Sequence, residues 1–164
     1  MSGIAHDQAV VRTDGTTVPG PGYPVRRAQE AAATDVQEFG NFFLSRFLGL
    51  DVSYDDAERT CSVHLPYARH LCNPQGAMHG GIMATAMDIS MGHLTHRFIS
   101  TAMTIEMSFR FFRPLTSDGT ATARLIRPGR RLVHLESRMT DTEGRLVAHA
   151  VGSWHRLDAL AEAT

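Results

Sequence analysis

The sequence has little cysteine, no long apolar run and almost no net charge, and each of these absences narrows the possible functions. Its 164 residues include 2 cysteines, Cys61 and Cys72, which are too few for a disulfide framework and favour a reducing compartment, the cytoplasm. No run of about 18 apolar residues occurs, so no membrane-spanning helix is predicted. The first residues, MSGIAHDQAV, have neither a basic start nor an apolar stretch, so no secretory signal is expected.

The charge balance excludes two classes of partner. The formal net charge is −1 at pH 7, so no overall positive field would attract nucleic acid or an anionic membrane. An anionic ligand would have to meet a local group of arginines instead. Hydrophobic residues make up 43% of the chain and charged residues 20%, a composition that can bury the core of one globular domain.

The first part of the chain is rich in proline and glycine. The stretch TTVPGPGYPVRR opposes regular structure, so residues 1–26 are predicted to be a disordered tail. A single domain is predicted over residues 27–158, followed by a C-terminal tail at 159–164. The domain opens with a predicted helix, AQEAAATDVQEFGNFFLSRFLGL, which starts at Ala28 and has Gly49 as its expected stop.

The rest of the domain alternates between strand and helix patterns. Apolar residues recur at a period of two over residues 50–54 and 61–65, a helix is predicted over 80–97, and four alternating segments follow. In the first of these four, Met103 to Phe111 alternate so that Thr104 and Glu106 share the polar face. Short turns such as RPGR and DTEG indicate an antiparallel meander of the four. Because one long apolar helix needs cover on most sides, we predict an α+β fold with a curved antiparallel sheet wrapped around it.

The stretch NPQGAMHGG, residues 73–81, directly precedes the long helix. Gly80 and Gly81 present backbone N–H groups at a helix N-terminus, where unpaired donors and the helix dipole favour negative charge. Asn73 adds a side-chain amide that can donate a hydrogen bond. These are the parts of an oxyanion hole, which stabilises charge developing on a carbonyl oxygen. An ordinary glycine-rich turn is the alternative interpretation.

One stripe of the long helix is small and polar, with the carboxylate of Asp88 in its middle. The stripe lacks the lysine, arginine and glutamate that a solvent-facing surface usually carries. A carboxylate there is costly to bury without a partner or a function. Asp88 would lie roughly 13 Å along the axis from the helix start, which is too far for it to cap that start. A functional role is therefore favoured over a solvated surface residue.

The order of these residues resembles a known family. Asn73 is followed by His79 six residues on, by two glycines, and by Asp88 nine residues after the histidine. The stretch NPQGAMHGGIMATAMD resembles the hotdog-fold acyl-CoA thioesterases, specifically the PaaI-like group with phenylacetate-pathway and hydroxybenzoyl-CoA thioesterases. TIEMSFRFFRPL looks like that family's following strand, and GRRLVHLESRMTDTEGRLVAHAVGSW is similar to its closing hairpin. The resemblance covers about residues 35–156.

The resemblance implies an activity and an assembly. It implies hydrolysis of an acyl-CoA or aroyl-CoA thioester to free acid and coenzyme A. Coenzyme A would enter as part of the substrate, and no separate cofactor is expected. The family also implies a homodimer, or a homotetramer made as a dimer of dimers, with active sites at the dimer interface.

A role for each residue of the motif is likewise implied by the resemblance. The Gly80 N–H would polarise the thioester carbonyl, and Asn73 would assist there or hold the attacking water. Asp88, from the partner subunit's helix, would be the nucleophile or the general base. The remaining positions follow from the same match: His79 to shape the loop, Thr104 to help position water, and Gly81 and Glu106 to contact the substrate.

An arginine-rich turn, RPGRR, is the candidate site for the phosphates of coenzyme A. It contains Arg127, Arg130 and Arg131, of which the last two are the primary candidates, and a solvated turn is the alternative. Arg110 and Arg113 are further candidates. No metal site is predicted, because the 9 histidines do not form an H-E-x-x-H pattern.

Two other functions stay open at this point. A hotdog dehydratase or hydratase acting on acyl chains needs a histidine–acid pair, which His79 and Asp88 could supply. A non-catalytic acyl-CoA-binding or sensor module would keep the arginines but would not need Asp88. The presence of Asp88 therefore favours catalysis.

Overall fold

The computed structural model describes Val10–Val11, Thr17–Val18 and residues 22–157, which fall into two compact units divided between Phe47 and Leu48. In the first unit, strands β1 (Val10–Val11) and β2 (Thr17–Val18) pair antiparallel. Helices α1 (Tyr23–Ala31) and α2 (Phe43–Leu48) follow. The predicted tail at 159–164 lies outside the described residues.

The first unit corrects two predictions. Regular structure begins before residue 27, because α1 starts at Tyr23 and Pro24 occupies its first turn, where the missing N–H costs little. The single helix predicted from Ala28 is wrong: the chain leaves helical geometry after α1 and turns at Gly40, whose φ is +78°. Gly49, with φ of +68°, follows the end of α2 as predicted.

The side chain of Arg46 organises the segment between α1 and α2. Its guanidinium donates hydrogen bonds to the carbonyl oxygens of Ala31, Thr34 and Val36 and to Oδ1 of Asn41. A guanidinium presents five donors in a planar fork, so it can satisfy several carbonyls that no helix pairs. A long-range contact of this kind has no periodic signature in the sequence, which is why the break was not predicted.

The second unit holds one long helix and a six-stranded sheet. Its strands are β3 (Asp51–Asp55), β4 (Thr60–Leu65), β5 (Ala102–Phe111), β6 (Gly119–Pro128), β7 (Leu132–Asp141) and β8 (Leu146–Arg156). Helix α3 spans Gly80–Phe98, and a single 3-10 turn, Arg69–Leu71, precedes it. The predicted α+β fold, an antiparallel sheet curved around one long helix, is confirmed.

The strand order differs from the predicted meander. The order is β3-β4-β6-β7-β8-β5, with every neighbouring pair antiparallel, so β5 lies at the edge beside β8 rather than beside β6. The chain after β5 crosses the end of the sheet, where Phe112 N donates to Val147 O and Met78 N donates to Leu115 O. These long-range hydrogen bonds satisfy the crossing backbone, so the connection need not be a hairpin.

The core lies between α3 and one face of the sheet. Small or medium side chains on the sheet, such as Ala121, Ala150 and Val133, are fully buried and let the helix approach closely. Helix α3 buries Met87, Met91 and Leu94 against them, as its apolar surface predicts. Full burial of each such side chain contributes on the order of 1.5–3 kcal/mol, so this packing fixes where every residue of the helix points.

Strand β5 contains a bulge that the alternation did not predict. Thr104 pairs with Trp154 and Glu106 with Ser153, so the register shifts and Ile105 is the extra residue. Paired residues of antiparallel strands project to the same face. Thr104 therefore lies on the face toward α3, with buried Trp154, whereas Glu106 lies on the outer face with Ser153. The prediction that Thr104 and Glu106 share one face is wrong.

Candidate active site

The loop before α3 is held by the side chain of Asn73. Its Oδ1 accepts hydrogen bonds from the backbone N–H groups of Gln75 and Ala77, each at 3.1 Å. The Asn73 N–H in turn donates to Ala77 O at 2.8 Å, and Gly76 turns the chain with φ of +84°. Because Oδ1 is occupied by two donors, the amide is oriented and its Nδ2 group is the part left for a ligand.

His79 caps the start of α3. Its Nδ1 accepts a hydrogen bond from Gly81 N at 3.0 Å, which satisfies one of the unpaired donors of the first turn. The Gly81 N–H is therefore engaged by the His79 ring, and a contact of Gly81 with a substrate stays a prediction. In the described part of the chain, the Gly80 N–H has no acceptor, so it is the donor that remains.

Gly80 lines a cavity of about 450 Å³. The polar part of the cavity wall comes from Asn73, Gln75 and Arg113. The apolar part comes from the loop before α3, from α3 itself, and from the end of β5 with the residues that follow it. These apolar residues are Ala77, Met78, Met83, Phe111, Phe112, Pro114 and Leu115. The ring of Phe111 packs over Gly80, 3.5 Å from where a Cβ atom would stand. The cavity thus combines backbone and amide donors with apolar walls, as sites for small organic ligands commonly do.

Asp88 lies elsewhere on the same helix, about 12 Å along the axis from Gly80. It is half-buried, and the hydroxyl of Thr104 donates to its Oδ1 at 2.9 Å. Burial raises the pKa of Asp88 above its ordinary value, and the hydrogen bond from Thr104 offsets part of the rise. Neither residue lines the cavity at Gly80. Within a single chain the donors and the carboxylate therefore lie apart.

Glu106 takes no part in either group. It lies on the outer face of the sheet, where Ser153 Oγ donates to its Oε1 at 3.2 Å and His134 Nδ1 lies 3.0 Å from the same Ser153 oxygen. The bulge at Ile105 turned it away from α3. Glu106 therefore does not lie beside Thr104, and its contact with a substrate stays a prediction.

The candidate arginines are spread over both ends of the sheet. Arg113 is the one that lines the cavity at Gly80, and its Nη1 donates to Leu146 O at 2.8 Å. Arg130 and Arg131 lie exposed in the β6–β7 turn, at the end of the sheet where Thr104 and Asp88 lie. Arg130 and Arg131 were the primary candidates for the phosphates because arginines cluster in their turn of the sequence. The signal for Arg113 was its place directly after the aromatic pair Phe111 and Phe112 at the end of β5.

Several histidines contact other side chains. His93 Nδ1 lies 2.7 Å from Tyr54 Oη, and His149 Nε2 lies 2.9 Å from Glu136 Oε2. Within the described residues, no group of three or more His, Cys, Asp or Glu side chains is arranged to hold a metal ion. In the same part of the chain, no helix is long and apolar enough to cross a membrane.

Comparison with known proteins identifies the family. Residues 75–148, which include α3, strands β5 to β7 and the loop except Asn73 and Pro74, match the thioesterase superfamily. A protein of Saccharolobus solfataricus named as an esterase is 31% identical over 122 residues, which cover 71% of this chain and 86% of that protein. The chain belongs to the thioesterase superfamily. This thioesterase is a thioester hydrolase, and the sequence prediction of that activity is confirmed.

Solved structures agree on the fold of the thioesterase. The BH2602 protein of Bacillus halodurans, crystallised with CoA, matches with a TM-score of 0.72 at 22% identity, over 82% of this chain and 91% of that chain. The PaaI protein of the E. coli phenylacetic acid degradation operon matches with a TM-score of 0.68 at 20% identity, over 80% and 96%. The predicted hotdog fold and the likeness to the PaaI group are confirmed.

Proposed function

We propose that this thioesterase hydrolyses an acyl-CoA or aroyl-CoA thioester to the free acid and coenzyme A, at a site that two copies of the chain complete together. One observation carries the proposal. A lone helix N-terminal donor, the Gly80 N–H, opens onto a cavity, whereas the half-buried carboxylate Asp88 lies about 12 Å further along the same helix. A second subunit can supply the carboxylate that the cavity lacks.

The edge strand β5 supports this assembly. β5 ends the sheet, and in the described residues no strand pairs with its outer edge. Three of its large apolar side chains, Met103, Ile105 and Phe111, are 55%, 55% and 50% exposed. An edge strand with exposed apolar residues is a template for pairing with another chain. A twofold axis at this edge would extend the sheet and cover these side chains.

Such a twofold axis would also complete the site. Helix α3 runs antiparallel to β5, because Gly80 lies at Phe111 and Asp88 lies at Thr104. Antiparallel pairing of two β5 strands places the Phe111 end of one copy beside the Thr104 end of the other. The cavity at Gly80 would then face the Asp88 carboxylate of the second copy. A homodimer is the smallest assembly that satisfies this, and a tetramer would repeat it.

The chemistry needs few groups. The Gly80 N–H and the Asn73 Nδ2 group would bind the thioester carbonyl oxygen and stabilise its developing charge. As general base, Asp88 would take a proton from water while the water oxygen bonds to the carbonyl carbon. The C–S bond then breaks, and the thiolate takes up the proton that Asp88 holds. Direct attack by the carboxylate, followed by hydrolysis of the anhydride, is the other possible route. A thiol leaves readily because its pKa is low, so neither route requires a separate strong acid.

The substrate assignment rests on the cavity and on a neighbour. The Bacillus halodurans neighbour was crystallised with CoA. In this chain Arg113 lines the cavity, and Arg130 and Arg131 of a second copy would lie near its mouth, where they could hold phosphates. Coenzyme A is thus part of the substrate, and the proposal includes no further cofactor. A cytoplasmic location is also part of it, supported by two cysteines that are both free thiols.

The alternative enzyme activity is less compatible with the geometry. A hydratase that used His79 with Asp88 would need the His79 ring, but its Nδ1 is engaged by Gly81 N as a helix cap. For this reason hydrolysis is the activity that we propose.

A panel of acyl-CoA thioesters tests the proposal. Release of free thiol, read with a thiol dye, should occur with at least one aliphatic or aromatic member. Asp88→Asn should lower kcat by about 10²–10⁴-fold, because it removes the group that accepts the proton. The circular dichroism spectrum should not change. Wild-type turnover in Asp88→Asn would contradict the assignment of the carboxylate, and a panel without any hydrolysis would contradict the substrate class.

A further inference from the structure

Gly152 lies in β8 next to the bulge of β5. It pairs with Met107, one position beyond the register shift at Ile105. A Cβ atom on Gly152 would lie 2.6 Å from the carbonyl oxygen of Glu106, 2.8 Å from Cζ3 of Trp154 and 3.0 Å from Cγ of Met107. The first of these is a backbone atom of the bulge itself. No side-chain rotation can relieve that contact, so the bulge as built requires a glycine at this position.

The bulge determines which residue of β5 reaches α3. Thr104, before the bulge, faces the helix and donates to Asp88 Oδ1 at 2.9 Å. Met107, after the bulge, pairs with Gly152 and also faces the helix. With strict alternation, residues 104 and 107 would point to opposite faces. The extra residue is thus what allows the hydroxyl and the apolar residues of β5 to share the inner face.

We propose that Gly152 is a positioning residue for the hydrolysis: its missing side chain leaves the space in which the bulge forms, and the bulge directs the Thr104 hydroxyl onto Asp88. The inference rests on the proposed function only in taking Asp88 as the reacting carboxylate. Gly152 itself touches neither Asp88 nor the cavity at Gly80. Its effect passes through the backbone of Glu106 and Ile105 to Thr104.

The test is Gly152→Ala, with Val151→Ala as a matched control. Val151 is the neighbouring residue of β8, but it pairs with Ser108 on the outer face and is 40% exposed, so its truncation leaves the bulge alone. The added methyl group of Gly152→Ala should displace the bulge and lengthen the contact between Thr104 and Asp88. The carboxylate then loses a stabilising donor, and its ionisation moves to higher pH.

Two measurements distinguish an effect of Gly152 on the position of Thr104 from a general loss of packing. The acid limb of the pH profile of kcat/KM should move up by about one pH unit in Gly152→Ala, which is about tenfold in rate along that limb. A 13C NMR titration of the Asp88 carboxyl should show the same shift without any substrate. Thr104→Val should shift both readouts similarly, and the double variant should shift them no further. Val151→Ala should shift neither.

A second parent protein, Trp154→Phe, provides the test if Gly152→Ala alone does not fold. Trp154→Phe removes Cζ3 and so relieves one of the contacts, whereas the backbone contact with Glu106 remains. Gly152→Ala combined with Trp154→Phe should fold and still shift the titration relative to Trp154→Phe alone. An unshifted titration in the folded variants, or shifts that add in the double variant with Thr104→Val, would overturn the inference. Normal turnover in Asp88→Asn would instead overturn the proposed function.

Discussion

The two regions of the site are built in different ways. At the start of α3, the donors belong to backbone and amide groups that one subunit fixes by itself, through Asn73 Oδ1 and the His79 cap. At Asp88, the proposed reacting group is a side chain held by one hydrogen bond from the edge strand. The donor region is therefore complete in a single chain. The carboxylate region is half-buried and lies apart from the donors, which shows that one copy of the chain does not bring the two regions together.

The largest effect is expected when two inactive variants, one damaged in each region, are mixed. Asp88→Asn damages the carboxylate region, and Asn73→Asp damages the donor region. If each site takes one region from each copy, an exchanged 1:1 mixture contains half hybrid dimers, each with one intact site, and should recover about a quarter of wild-type activity. Thiol release measured after subunit exchange checks this.

The control for the mixture is exchange between two differently tagged Asp88→Asn chains, which should recover nothing. A mixture of the two different variants that stays at the level of its parents would contradict the shared site. It would mean that one chain holds both regions.

Asn73→Asp alone tests the donor region. The variant keeps an Oδ1 acceptor for Gln75 N and Ala77 N, so the loop should hold its shape. It replaces the Nδ2 donor with a carboxylate oxygen, which repels charge on the carbonyl oxygen. We expect kcat to fall by about 10²–10³-fold with a smaller change in KM, measured by steady-state kinetics. Equal loss in Asn73→Ala and Asn73→Asp, with a lowered melting temperature in both, would indicate a loop role only.

Thr104→Val tests how the carboxylate region is tuned. Burial raises the Asp88 pKa and the Thr104 hydroxyl lowers it, so removing the hydroxyl leaves a pKa that is higher still. The active carboxylate then forms at higher pH, and the acid limb of kcat/KM should move up by about one pH unit. Thr104→Ser keeps a donor and should stay near wild type. A shift toward lower pH in Thr104→Val would refute this account of the hydrogen bond.

The smallest effect is expected for His79→Ala. This variant distinguishes the residue that caps α3 from the groups proposed to bind the carbonyl oxygen. It removes the helix cap, so the free energy of unfolding should fall by about 1 kcal/mol, measured in urea. His79→Asn should retain most of the stability, because an asparagine oxygen can accept from the same turn. The activity of the folded His79→Ala should fall less than that of Asn73→Asp, since the Gly80 N–H is still present. A larger loss would assign the ring a direct role.

The sequence was most informative where the pattern is local. The span of α3, the strands after it and the loop at Asn73 follow from periodicity and from turn residues, and the structure has them where predicted. The break between α1 and α2 was missed because it depends on Arg46 binding carbonyls across the loop. The hydrogen bond of the Gly81 N–H was missed for a similar reason, since only the folded geometry shows that the His79 ring accepts it.

The sequence by itself determined the long helix α3, the six strands of the second unit, the apolar surface of α3 and the distance between Gly80 and Asp88, because these depend on the repeat of a helix or a strand. The tertiary structure decided the rest. It placed β5 at the edge of the sheet beside β8, and its bulge at Ile105 turned Thr104 toward Asp88 and Glu106 away from it. Strand order and bulges depend on pairing between residues far apart in the chain, and space for this bulge depends on Gly152 in another strand. No local period carries that information.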